Sequence, residues 1–256
     1  MPSTSSQKST SSIEDHAGAP VSKVQIAGEG GEYVIINNQK YYRHDLMAAF
    51  GGTLNPGATP WPTVKVNPAP LGLSGFALTT FVLSLYNCQA KSITIPNVVL
   101  SLACFYGGLC QFLAGLWEFA AGNTFGMTAL CSYGAFWLSY VAILVPNFGI
   151  GAAYEGTEQL HNAVGIFLLA WGLFTFMLFT LTLRSTLSFS ALFGFLTVTF
   201  FLLSAGDLTG NVKVTKAGGV FGVITAFIAW YNAFAGTATS SNSYFTAYSI
   251  PLPGLF

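Results

Sequence analysis

The sequence predicts an all-α fold: a polytopic membrane protein, a six-transmembrane-helix bundle with a disordered N-terminal tail. Three observations point there. Of the 256 residues 52% are hydrophobic and only 7% charged, and the mean hydropathy is +0.58. A soluble domain carries about a quarter charged residues, so this chain lacks the charges to cover a water-facing surface. After Lys65 the acids and bases, His161 aside, are Lys91, Glu118, Glu155, Glu158, Arg184, Asp207, Lys213 and Lys216. The charge-free intervals between them, 66–90, 92–117, 119–154, 159–183, 185–206 and 217–256, each accommodate the roughly 17–25 apolar residues of a membrane helix.

In chain order, residues 1–31 are rich in Ser, Thr and Gly, with too few large apolar residues to pack, and disorder is expected. No basic start followed by an apolar core marks a cleavable signal peptide. Ser11 and Ser12 each have an acid three places on, Glu14 and Asp15, which suits either phosphorylation or a plain polar tail. Residues 32–66 form a short lead-in. Apolar runs around Asn37–Asn38 suggest a hairpin, and a short amphipathic turn with Leu46, Met47 and Phe50 follows, ended by Gly51–Gly52. The six-helix domain spans 67–236, with helices near 70–88, 97–118, 124–146, 161–183, 187–205 and 216–236. Pro146–Asn147 interrupts one long interval, and the Ser/Asn-rich stretch after Gly236 interrupts the other, leaving 237–256 as a C-terminal tail.

Cys88, Cys104, Cys110 and Cys131 fall within or at the ends of these spans, without a C-x-x-C pair or histidines at ligand spacing. They suit small packed thiols; no metal site, cofactor or nucleic-acid partner is expected. Charge does not set the orientation. Near the membrane one side offers Lys65 and Arg184 and the other Lys91, Lys213 and Lys216, but counting Lys8, Lys23, Lys40 and Arg43 reverses the bias. Gly218, Gly222 and Ala226 recur every four residues, and Gly108 and Gly115 lie two turns apart, as helix-packing seams require.

The stretch NPAPLGLSGFALTTF, residues 67–81, opens the first helix. Pro68 and Pro70 suit a helix start, where N–H groups lack intrahelical acceptors, and Asn67 is a favourable cap. Such a terminus is partly positive and lined with N–H donors, so Asn67, Leu71 and Gly72 mark a place for a small anion to enter, or simply a well-capped helix. Further on, Phe76, Thr80, Ser84 and Asn87 share one helical face. Thr128, Ser132 and Ser139 do much the same in the third helix, with Tyr133 on an adjoining face. Thr225 and Asn232 share a face in the sixth helix, and Gln111 and Glu118 in the second. Polar residues within a membrane face the bundle interior or an aqueous path, or bond between helices. The path they outline is neutral, since no Lys or Arg lies deep in a span. Glu118, after Trp117 at the end of the second helix, suits a structural or gating role or, if desolvated, proton exchange. His161 reads as interfacial, and Asp207 in GDLTGN as a turn acid. An intramembrane enzyme would need clustered acids, histidines or a metal set, which the spans lack.

At these residues the chain resembles the acetate uptake transporters, the Gpr/Fun/YaaH family. NPAPLGLSGFALTTF is close to its signature, and FYGGLCQFLAGLWE, NTFGMTALCSYGAFWL and GVFGVITAFIAWYNA extend the likeness from about residue 32 to the C-terminal end. The longer tail and the lead-in resemble the fungal branch. The resemblance implies a six-helix protomer in a plasma membrane, cytoplasmic termini, and assembly as a hexamer with one pathway per protomer. It also implies transport of acetate and related short monocarboxylates by proton symport or anion conduction. The family's constriction falls on Phe76 in GLSGF, Tyr133 in CSYG and Leu196 in GFLTV, and Asn67 and Glu118 match positions regarded as important. Thr80, Ser84, Asn87, Gln111, Ser132 and Asn232 are the expected polar lining. Some fungal relatives are linked to ammonia export, which makes ammonium the rival cargo; the serine-rich tail leaves a non-transporting sensor as another.

Overall fold

The chain divides at Lys65 into two units, Met1–Val64 and Lys65–Phe256; the computed structural model describes residues 24–28, 30–36, 38–50, 66–248 and 250–253. Ser11, Ser12, Gly51 and Gly52 lie outside the described residues. In the first unit, strands β1 (Val24–Ala27), β2 (Tyr33–Ile36) and β3 (Gln39–Tyr42) form an antiparallel sheet in that order, Val24 opposite Ile36 and Tyr33 opposite Tyr42. Asn38, at φ 63°, takes the left-handed conformation that asparagine tolerates in the turn between β2 and β3. β1 falls inside the stretch expected to be disordered. Gly28 (φ 101°) and Gly31 (φ 70°) bend the chain back, so the short Val-Gln-Ile-Ala run gains a partner strand. Helix α1 (Arg43–Phe50) follows directly.

The second unit holds six long apolar helices: Ala69–Asn87, Val99–Ala120, Thr124–Leu144, Gln159–Thr182, Leu187–Thr209 and Val212–Thr237. At 1.5 Å per residue, 19–26 residues reach roughly 28–39 Å, enough for a hydrocarbon layer of about 30 Å. Their ends follow local chemistry. Asn123 Oδ1 accepts from the Gly126 N–H at 3.0 Å to start the third span, and Thr186 Oγ1 accepts from the Phe189 N–H at 3.3 Å to start the fifth. Pro146 stops the third span just after Leu144. The largest departure from the sequence-based ends is between the fifth and sixth spans. Their turn is only Gly210, left-handed at φ 62°, and Asn211, whose Oδ1 accepts from the Lys213 N–H. Asp207 therefore sits within the fifth helix and is not a turn acid.

The spans are arranged as a ring. The first packs between the second and sixth, the sixth on the fifth, the fifth on the fourth, and the second on the third. Third and fourth meet through the Tyr133 hydroxyl, which donates to Thr175 Oγ1 at 3.0 Å, and through the rings of Phe136 and Trp171, 5.2 Å apart. Gly222 packs against Ser84, Gly218 against Leu203 and Gly115 against Cys131, so the small-residue stripes are packing seams. The second span is not a plain α-helix: Phe105–Cys110 forms a π turn between the α segments Val99–Cys104 and Gln111–Ala120. This turn presses on the first span. A Cβ on Gly75 would stand 2.5 Å from the Tyr106 carbonyl oxygen, and one on Gly107 2.5 Å from Thr79 Oγ1. Beyond the sixth span the chain returns to the loop before the fifth. The Leu187 N–H donates to Ile250 O and the Leu252 N–H to Ser185 O, each at 2.8 Å.

Candidate transport pathway

Because the first and third spans both start on one side, increasing residue number along each runs the same way; the side of Asn67 is termed proximal and the other distal. Midway, Phe76 of the first span, Tyr133 of the third and Leu196 of the fifth converge. All are buried, and the rings of Phe76 and Tyr133 lie 5.9 Å apart. Tyr133 is fixed by its bond to Thr175 and by the neighbouring rings of Trp171, Phe174 and Phe193, at 6.1–6.3 Å. A cavity of about 340 Å³ on the proximal side reaches all three residues. A second, of about 260 Å³ on the distal side, reaches Phe76 and Leu196 again, now with Phe136, Trp137 and Phe200. Phe76 and Leu196 thus stand between two cavities that open toward opposite sides of the bundle.

Among the described residues no charged side chain lines the proximal cavity, whose polar groups are Gln111, Asn123, Tyr133, Thr182 and Ser185. The distal cavity carries Thr80, Ser84, Asn87 and Thr199, and near its mouth His161 and Asp207, with His161 Nδ1 3.7 Å from Asp207 Oδ1.

The GPR1/FUN34/yaaH family model matches residues 50–254. The chain belongs to this family. It is 59% identical over 240 residues to the ammonia transport outward protein 2 of Saccharomyces cerevisiae, covering 93% of this chain and 85% of that one. It is 51% identical over 215 residues to acetate permease A of Emericella nidulans, covering 78% and 72%. The solved structure of the bacterial acetate channel SatP matches with a TM-score of 0.61 at 40% identity, covering 66% of this chain and 91% of that chain. With six apolar spans and these relatives, this GPR1/FUN34/yaaH member is a multi-pass membrane protein.

Several residues singled out in the sequence line the two cavities: Thr80, Ser84 and Asn87 the distal one, Gln111 the proximal one. Gln111 is fully buried, and neither of its amide atoms has a hydrogen-bond partner among the described residues. Others lie elsewhere. Ser132 lines neither cavity, because its neighbour Tyr133 occupies the inward face and adjacent residues differ by about 100° around a helix. Asn232 bonds between helices, accepting from the Ser188 hydroxyl at 3.0 Å and donating to Ser188 O at 3.3 Å. Leu71 is half exposed, on the outer face, and Gly72 makes room for Leu130 and Ala114.

The start of the first span also differs from the open, donor-lined terminus expected. Pro68 and Pro70 have no N–H, the Ala69 N–H is bound by Asn67 Oδ1 at 3.1 Å, and the Leu71 N–H is directed at Pro68 O at 3.1 Å. The backbone donors are removed or occupied, leaving the Asn67 side-chain amide as the group able to donate there.

Glu118 is 2% exposed. Its Oε2 accepts from Asn123 Nδ2 at 2.6 Å, while Oε1 has no partner among the described residues. Asn123 itself lines the proximal cavity, so Glu118 touches that cavity's lining without forming it. The sequence reading missed Asn123, although it stands five residues after Glu118 at a helix start. It also missed the pairing of His161 with Asp207, which a turn assignment conceals.

Proposed function

We propose that this GPR1/FUN34/yaaH member transports acetate and related short monocarboxylates across a membrane, through a pathway within the protomer. The observation that carries it is the pair of cavities separated by Phe76 and Leu196, with Tyr133 beside them, lined next to these residues by apolar side chains, amides and hydroxyls. At neutral pH acetate is almost wholly an anion, since carboxyl groups titrate near pH 4–5, and lipid excludes it strongly. Amides and hydroxyls replace part of its water without trapping it on a fixed cation. A narrow apolar ring then passes the methyl end and penalises hydrated or bulky ions. The names of two relatives, acetate permease A and the acetate channel SatP, support the same cargo.

In this proposal Phe76, Tyr133 and Leu196 form the gate, and Asn67 receives the carboxylate at the proximal mouth. Glu118 sets the gate's proximal approach by holding Asn123. The cargo leaves chemically unchanged, and the protein works as a hexamer in the plasma membrane with cytoplasmic termini. A second cargo, ammonium, is suggested by the name of the Saccharomyces cerevisiae relative. It would need acceptors along the path, and among the described residues the proximal lining offers no acid.

The test is reconstitution in liposomes with labelled acetate, varying pH gradient and membrane potential independently. Acetate uptake with a saturable rate is expected. Uptake driven by a proton gradient against an opposing potential assigns symport; a current reversing at the acetate equilibrium potential assigns a channel. Correctly folded protein with no acetate flux, but with ammonium flux, overturns the proposal.

A further inference from the structure

Most threonines of the spans bond back along their own helix. Thr79, Thr128, Thr175, Thr197, Thr199 and Thr225 each donate their hydroxyl to a carbonyl four residues back in their own helix. Thr80 does not: its Oγ1 is buried without a partner among the described residues, although the residue is only 6% exposed. The same holds for the indole N–H of Trp137, a residue 2% exposed. Both residues line the distal cavity. Buried donors as a rule find an acceptor, and an indole N–H donates only.

Their position relative to the constriction is simple. Thr80 stands four residues after Phe76, and Trp137 four residues after Tyr133, on spans that run the same way. Each donor is therefore about one turn, roughly 6 Å, to the distal side of a gate residue. The Trp137 ring is held between Phe136, at 5.1 Å, and Tyr140, at 6.4 Å.

We infer that Trp137 Nε1 and Thr80 Oγ1 form a carboxylate-binding subsite one helical turn from the gate, selective for short aliphatic monocarboxylates. This inference rests on the transport reading above. A carboxylate accepting from both donors directs its alkyl end at Phe76 and Leu196. About 6 Å of apolar space takes a tail of one or two carbons, whereas a second carboxylate would be pressed into the apolar ring. The indole N–H gives nothing to ammonium, which has no lone pair to accept it. The one acid lining the cavity among the described residues, Asp207, faces His161 at 3.7 Å.

The subsite is tested on full-length protein with ¹⁵N-labelled tryptophan in micelles. The Trp137 indole resonance is assigned by its loss in Trp137→Phe. Sodium acetate is titrated against sodium chloride and ammonium chloride, and acetate flux is measured on the same preparations in liposomes. A saturable downfield movement of the Trp137 signal with acetate alone is expected, its midpoint raised about five- to tenfold in Thr80→Val, the loss of one hydrogen bond. A Trp137 signal unmoved by acetate, in wild-type protein that takes up acetate, overturns the subsite and leaves the transport reading standing. A signal that moves in protein without acetate flux supports the subsite and overturns the transport reading. Equal movement with chloride overturns the selectivity for carboxylates.

Discussion

Asn123 performs two tasks with one side chain, and separating them gives the sharpest test of the proximal geometry. Its Oδ1 caps the third span through the Gly126 N–H at 3.0 Å, and its Nδ2 donates to Glu118 Oε2 at 2.6 Å. Asn123→Ala removes both. Loss of the cap costs about 1 kcal/mol, and loss of a hydrogen bond to a buried carboxylate roughly 1.5–3 kcal/mol. The sum is about 2.5–4 kcal/mol, which lowers the thermal midpoint by about 5–15 °C for a domain of this size. Asn123→Asp keeps a capping oxygen but sets two carboxyl groups against each other. Adding Glu118→Gln should then restore a bond with donor and acceptor exchanged. Thermal unfolding of the four proteins in detergent completes the cycle. The double variant is expected to recover at least half of the loss caused by Asn123→Asp. A double variant no more stable than the sum of the singles would refute the Glu118–Asn123 bond as a stabilising contact.

Phe76→Ala joins the two cavities and should admit aromatic monocarboxylates such as benzoate at a rate comparable to acetate, in liposome uptake; continued exclusion of benzoate would remove Phe76 from the gate. Tyr133→Phe keeps the ring and deletes the bond to Thr175, so a stability loss of about 1 kcal/mol is expected with acetate flux retained within about threefold, read by unfolding and uptake. Gly107→Leu drives a side chain into Thr79, where even a Cβ would lie 2.5 Å from Oγ1, and should abolish folded protein by size-exclusion profile.

The spans were legible because each charge is expensive in lipid, so the intervals between charges mark helices directly. Their facing was less so. Helices that are apolar all round carry no stripe telling Ser132 from Tyr133 or Leu71 from Gly72, and packing against neighbours decides which side turns inward. The residues proposed as the gate were named by resemblance; the structure shows that Phe76, Tyr133 and Leu196 line one cavity, not that they gate it. The π turn at Phe105–Cys110 has no composition of its own: paired glycines suit many helix contacts, and the extra residue per turn is fixed by the approach of Gly75 and Thr79. Asp207 was misjudged because GDLTGN is rich in turn formers, although Gly210 and Asn211 alone suffice. At Asn67 the expected donors were counted without subtracting the two prolines and the cap.

The segment that returns after the sixth span ties residues beyond the bundle to the start of the fifth span. Ile250 and Leu252 bond the backbone of Leu187 and Ser185, where the fifth span begins. That span carries Phe189, Leu192 and Leu196 on the wall of the proximal cavity, Leu196 being one of the three residues proposed as the gate. A load applied to residues 250–252, by a fused domain or a neighbouring surface, would therefore bear on the base of the helix that carries Leu196.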